Sequence, residues 1–175
     1  MRSFFERRRF EARLRELAQT LCPSTEEVVV DLHSSGFADF PKARLEYAMA
    51  ELFASCKAVA AGVQDERVKV RILALIRDCF LARFKKLAQP LRINGNALRE
   101  MTALRLTTYD SLLREPIEEN KHVFVEALWL NVTGHQLNDP TAYLHAAAIF
   151  DNFVRTRKLL DDVKGFLVVP DGMRL

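Results

Sequence analysis

Glu119 and His122 stand three residues apart, a spacing that on a helix sets a carboxylate and an imidazole on one face. Such a pair is part of the ligand set of carboxylate-bridged di-iron bundles, whose chemistry also needs a second Glu-x-x-His and two glutamates from neighbouring helices. No glutamate stands three residues before His33, His135 or His145, and no two histidines share an H-x-x-x-H spacing. The pair therefore supports a helical metal-binding protein or enzyme only as the third of three readings. A plainer account competes with it, in which Glu119 complements a helix N-terminus and His122 is a partly exposed helix residue. His145, Asp151 and the scattered serines carry no nucleophile elbow that would make a triad of them. Cys56 and Cys79 fall on apolar faces, where a thiol behaves as a small inert hydrophobe.

Neither G-x-x-x-x-G-K nor G-x-G-x-x-G occurs, so the familiar phosphate cradles are missing. The sequence thus leans away from an enzyme, with no catalytic, cofactor-binding or metal-ligating residue and no cofactor expected. What remains is surface chemistry, and it is strongly polarised. Residues 67–105 carry ten basic side chains against two acidic ones, and residues 106–139 carry two against six. A concentrated basic surface meets an anion: a nucleic-acid backbone, a lipid headgroup or an acidic protein. Asp78 shares a helical stripe with Arg71 and Lys85 and quiets them, whereas Arg77, Arg83, Lys86, Arg92, Arg99 and Arg105 have no such partner within their own segment. Asp110, Glu115, Glu118, Glu119 and Glu126 are the expected counter-charges, within the fold or from a second copy of the chain.

A smaller cluster, Arg7, Arg8 and Arg9, lies beside Phe4 and Phe5, a combination suited to an anionic partner. Glu6, Glu11 and Glu16 on the same helix offset it. Arg83, near Ile76 and Phe80, and Arg157, between Phe153 and Leu160, interrupt apolar stripes and must either snorkel or find a partner.

The elements that would position these groups are helical throughout. Ser3 with Glu6 and Ser24 with Glu27 match the capping box. Phe10, Leu14, Leu17 and Leu21 then form one stripe, which Pro23 ends, and a short second helix runs from Ser24 over Val28–Val30 to Gly36. Pro41 in a first turn, Asp39 as its cap and Gly62 as a left-handed stop predict a helix over 41–61 with the stripe Leu45, Ala48, Met49, Leu52, Cys56 and Val59. Residues 65–89 read as the most buried helix, through Leu73, Ile76, Phe80, Phe84 and Leu87. Asn96, after the turn signal at Ile93–Gly95, caps a helix to about Glu115; Pro116 and Gly134 bracket the next. Asp139 and Pro140 start the last, which buries Ala142, Ala146, Ile149, Phe150, Phe153 and Leu160 and closes at Gly165.

At 175 residues, 49% hydrophobic and 28% charged, with six glycines and six prolines, the chain has the composition of one soluble domain of long helices. Cys22, Cys56 and Cys79 form no C-x-x-C and leave an odd count, which points to a reducing, cytoplasmic compartment. No secretory leader and no membrane span are read. We therefore expect an all-α, single-domain bundle of six or seven helices, orthogonal or up-down, over residues 1–175, with an irregular tail at 166–175. The favoured function is a non-enzymatic interaction protein, regulatory or adaptor in kind, that binds a protein partner or itself, as a homodimer, through helix faces. The first alternative is a nucleic-acid-binding protein that uses the basic patch of 67–105.

Overall fold

The computed structural model describes residues 2–26, 28, 39–113, 117–134 and 141–169, and of residues 2, 3, 117–121, 141–146, 150 and 166 only the backbone. Six α-helices occur among them: α1 (Arg2–Leu21), α2 (Pro41–Gly62), α3 (Glu66–Ala88), α4 (Gly95–Leu112), α5 (Ile117–Thr133) and α6 (Thr141–Val163). Single 3-10 turns follow α3 at Gln89–Leu91 and α6 at Lys164–Phe166. No strand is present among the described residues, and the protein is an all-α bundle as its patterning predicts. Nor is any described helix long and apolar enough to cross a membrane.

The centre of the bundle is α2. Around its circumference Leu45, Tyr47, Ala48, Met49, Ala50, Leu52, Ala54, Ser55, Ala58 and Val59 are all buried. Helices α3, α4, α5 and α6 all pack against it, and α1 packs instead on α3. The expected stripe on α2 is correct but too narrow, and the expectation that 65–89 is the most buried helix is overturned. Only one line of α3, Val68, Ile72, Ile76, Phe80, Phe84 and Ala88, is fully buried. Alanines explain the difference, because they bury as readily as leucines yet add little contrast to a hydrophobic pattern.

The helix ends are decided by local chemistry. Asp65 caps α3 by accepting from the amides of Arg67 and Val68. Asn94, rather than Asn96, caps α4, accepting from Asn96 N at 3.0 Å and Ala97 N at 2.9 Å, so that Gly95 is the first helical residue. Phe40 stands at the N-cap of α2, without a side-chain bond, in place of the expected Asp39. Gly134, at φ +78°, is the left-handed stop expected after α5. Gly62 is not one, and its role is steric: a Cβ there would meet Arg157 Nη1 at 3.0 Å and Leu160 Cδ1 at 3.2 Å, so the missing side chain lets α6 close onto the end of α2. Gly165 sits inside the last 3-10 turn, and Leu167 and Val169 just beyond it are buried, so the tail begins docked on the core. The short helix read from Ser24 is seen only at its start, where Val28 N donates to Ser24 O at 3.3 Å; Glu27, Val29, Val30 and Gly36 lie outside the described residues, as do Pro116, Asp139 and Pro140.

Two arginine forks tie helices together. Arg105 of α4 donates to the buried Glu46 of α2 from Nε at 2.7 Å and from Nη2 at 2.8 Å. Arg71 of α3 grips Glu11 of α1 in the same way, with Nη2 2.8 Å from Oε2. Parallel donors of this kind match carboxylate geometry and bond more strongly than neutral pairs. Removing one partner of a buried pair strands the other charge, so Arg105→Met should lower unfolding free energy by about 3–5 kcal/mol. The double variant Glu46→Leu/Arg105→Met should recover most of that loss, as urea denaturation of the two variants and the wild type will measure.

Candidate functional site

The arginines singled out in 67–105 are dispersed by the fold. Arg105 is held by Glu46 as described. Arg83 is also internal: its Nη1 donates to the carbonyl oxygens of Cys22 at 2.8 Å and Pro23 at 2.7 Å, satisfying acceptors where α1 ends. Lys86 and Arg92 are exposed at the end of α3 and in the turn after it, where Arg92 takes a left-handed φ of 59° and donates its amide to Gln89 O. Arg157, the other interruption of an apolar stripe, is half-buried, with Nη1 against Gly62 and no hydrogen-bond acceptor among the described residues.

Arg77 and Arg99 are the two that share a cavity. Both are exposed and both line one cleft of about 400 Å³ between α3 and α4. Leu81 and Leu106 form its apolar floor, with the exposed Ala74 and Ala103 at its edges; Thr102 and Thr107 add hydroxyls, and Asp78 is the single acid. The Thr102 hydroxyl is already committed to Leu98 O at 2.7 Å, and that of Thr107 to Ala103 O at 3.1 Å. The guanidinium of Arg77 also reaches the Cys56 thiol of α2, whose pKa burial nevertheless pushes up to about 11. A cleft of this build, apolar below and cationic at its rim, suits a side chain or helix edge that presents carboxylates.

Among the described residues, the basic side chains of 67–105 pair with acids other than the expected Asp110 and Glu126. Glu46 and Glu11, from α2 and α1, hold Arg105 and Arg71, while Asp110 of α4 pairs with Lys57 of α2. Glu126 is exposed on α5. Glu115 and the side chains of Glu118 and Glu119 lie outside the described residues, so the Glu119–His122 pair is seen only as an exposed His122. Among the described residues no group of three or more histidines, cysteines and acids converges as metal ligands would. His33, His135 and the side chain of His145 fall outside them.

The N-terminal arginines occupy a different place. Residues 4–9 are exposed on every side of the helix, and Phe10 is the first buried residue among the described side chains of α1. Phe4 and Phe5 are 54% and 65% exposed there, and the Arg8 guanidinium sits 4.6 Å from the centre of the Phe4 ring.

The α3–α4 cleft went unread as a unit, though its signal is present. Residues 74, 77, 78 and 81 and residues 99, 102, 103 and 106 each follow the i, i+3, i+4, i+7 rule, a second stripe on each helix. Small residues and charges in those stripes hide them from a search for apolar periodicity. No family model, curated protein or solved structure matches the chain.

Toward α2 and α5, Tyr109 of α4 packs with Phe53 and Phe124 at ring-centre distances of 5.7 and 5.2 Å, and its hydroxyl accepts from Asn131 Nδ2 at 3.3 Å. Burial raises its pKa to about 12. Both raised groups bind their protons more tightly when folded, so their stabilisation is complete below the unfolded pKa and is lost as pH rises through the folded one. For Cys56 that window is pH 9 to 11, and for Tyr109 it is pH 10 to 12. Denaturation midpoints should therefore fall above pH 9, and Tyr109→Phe should remove a loss of about 2–3 kcal/mol from the upper part of the range. The partly exposed Cys56 contributes less.

Proposed function

We propose that the protein is a non-enzymatic helical interaction protein, regulatory or adaptor in kind, that takes an acidic segment of a protein partner into the cleft between α3 and α4. The observation that carries this reading is the convergence of Arg77 and Arg99 over one apolar floor. Of the six arginines and lysines that the sequence leaves uncompensated, these two share a concave surface; Arg83 and Arg105 serve the fold, and Lys86 and Arg92 stand apart from the cleft. An apolar floor binds through burial, and two forks at its rim fix register and choose acidic over neutral partners.

A fluorescein-labelled amphipathic peptide carrying glutamates at i and i+4 provides the probe, with labelled duplex DNA as the rival ligand. Fluorescence anisotropy should show peptide binding that Arg77→Glu/Arg99→Glu weakens by at least roughly tenfold, equivalent to 1.4 kcal/mol. Reversal of Arg92, exposed but outside the cleft, should change it little. Preferential binding of DNA, with affinity falling steeply against the logarithm of salt concentration, would instead support the nucleic-acid reading. Sedimentation equilibrium at micromolar concentration decides whether the partner is a second copy. A dimer that Arg99→Glu loosens would place the acidic 106–139 segment of one chain in the cleft of another.

A further inference from the structure

Two of the three cysteines come together although 57 positions separate them in the chain. Cys79 stands one turn before Arg83 on the same side of α3, and Arg83 Nη1 donates to Cys22 O at 2.8 Å in the turn that ends α1, so the two cysteines sit on facing segments of the α1–α3 contact; the Cys22 thiol itself donates to Pro23 O at 3.7 Å. That same Arg83 holds the turn in place through the Cys22 and Pro23 carbonyls. The Cys22 amide is bound to Ala18 O at 3.0 Å, which fixes the other side of the residue. The two residues are therefore kept as neighbours by backbone anchors on one partner and by a helix on the other.

Their exposure differs. Cys22 is 4% exposed, whereas Cys79 is partly exposed and lines a solvent-open cavity of about 520 Å³ with Arg15, Gln19, Asp78 and Arg83. A small oxidant from solution meets Cys79 first, and the partner that can then reach the modified sulfur is the one behind it. Burial, reinforced by the neighbouring Cys79, raises the pKa of Cys22 above the ordinary thiol range. Its burial keeps it from an oxidant in solution, while its place behind Cys79 sets it against the sulfur that is oxidised first.

We infer that Cys79 and Cys22 are a redox pair, in which a hydroperoxide oxidises Cys79 and Cys22 resolves it to an intramolecular disulfide that staples the end of α1 to α3. In the first step the Cys79 sulfur attacks one peroxide oxygen, the O–O bond breaks, and the other oxygen leaves with the thiol proton as an alcohol, or as water if the oxidant is hydrogen peroxide. Cys79 is left as a sulfenic acid. In the second step the Cys22 sulfur attacks the Cys79 sulfur, the S–O bond breaks, and the hydroxide departs with the Cys22 proton as water. The two thiols together supply the two electrons that reduce the peroxide. Cys56, packed beside Arg77, takes no part. Arg83 is a positioning residue, which keeps the Cys22 turn against α3.

Treatment of the full-length protein with a small excess of hydrogen peroxide, followed by alkylation under denaturing conditions and peptide mapping, tests this directly. The expected product is a peptide pair linked Cys22 to Cys79, reversed by dithiothreitol, with Cys56 alkylated as before. Capture of a Cys79 sulfenic acid by dimedone should rise on the order of tenfold in Cys22→Ala, because the resolving thiol is gone. Arg83→Met should slow linkage without slowing the first oxidation. Disulfides only between chains, or Cys79 driven to sulfinic acid while Cys22 remains alkylatable, would overturn the proposal. If Cys22→Ala fails to fold, the linkage map of the unmodified sequence decides the matter by itself.

Discussion

The structure depends on one constraint: from Ala43 to Ser55, α2 has almost no face left for water. Its backbone groups are satisfied along the helix, but every side chain around it needs a neighbour, and four helices are required to supply them. Small residues make the crowding possible. Ala43, Ala48, Ala50, Ala54, Ser55 and Ala58 let adjacent helices approach, and Gly62 admits Arg157 and Leu160 where α6 crosses. The constraint also dictates charge. A carboxylate on such a helix cannot face solvent, so Glu46 requires the fork of Arg105 and thereby fixes how α4 is rotated against α2. Whether a buried pair adds net stability is secondary; it excludes alternative rotations, since each would strand a charge.

Helix α1 is fastened by other means. It packs on α3, and α3 holds it with polar side chains as well as apolar ones: Arg71 on Glu11 near the middle, Arg83 on the carbonyls at its end. Phe10, Leu14, Ala18 and Leu21 supply the buried area between these points. Helix α3 is thus the hinge of the architecture. One line of it faces α2, another line faces α1, and the residues between, Arg77 and Asp78, open toward α4 and the cleft.

Much of the bundle is legible in the chain. Apolar residues at spacings of three and four identify α1, α3 and α6, and Pro41 and Gly134 mark a start and a stop for stated physical reasons. The failures share a cause, which is that tertiary neighbours choose between locally equivalent options. Asn94 and Asn96 both flank Gly95 and either can cap; the left-handed Arg92 before them turns the chain so that Asn94 meets the free amides. Gly62 looks like a stop because glycine usually is one, and only the side chains of α6 reveal its purpose. The partners of the arginines were equally hidden. Arg71 and Arg105 bond to acids 60 and 59 positions away, far beyond any count of compensating charges on the same helix. The local excess of charge in 67–105 is real, but it overstates the free basic surface. The cleft itself was missed because its stripes mix charge with small residues.

These attachments define what α1 can do. It is one uninterrupted helix of twenty residues, about 30 Å long, held at its middle and its end, with residues 4–9 exposed at its start. Phe4, Phe5 and Arg7–Arg9 ride on that exposed end, while Cys22 and the Arg83 that grips its carbonyl sit at the other. A stiff helix transmits orientation along its length, so the firmness of the grip on Cys22 and Pro23 sets how closely the exposed aromatic and basic side chains keep to one direction. If that grip loosens, Glu11 and Arg71 become the pivot. The same element therefore links a chemically sensitive buried turn to an exposed surface at its far end, with α3 as the common support of both.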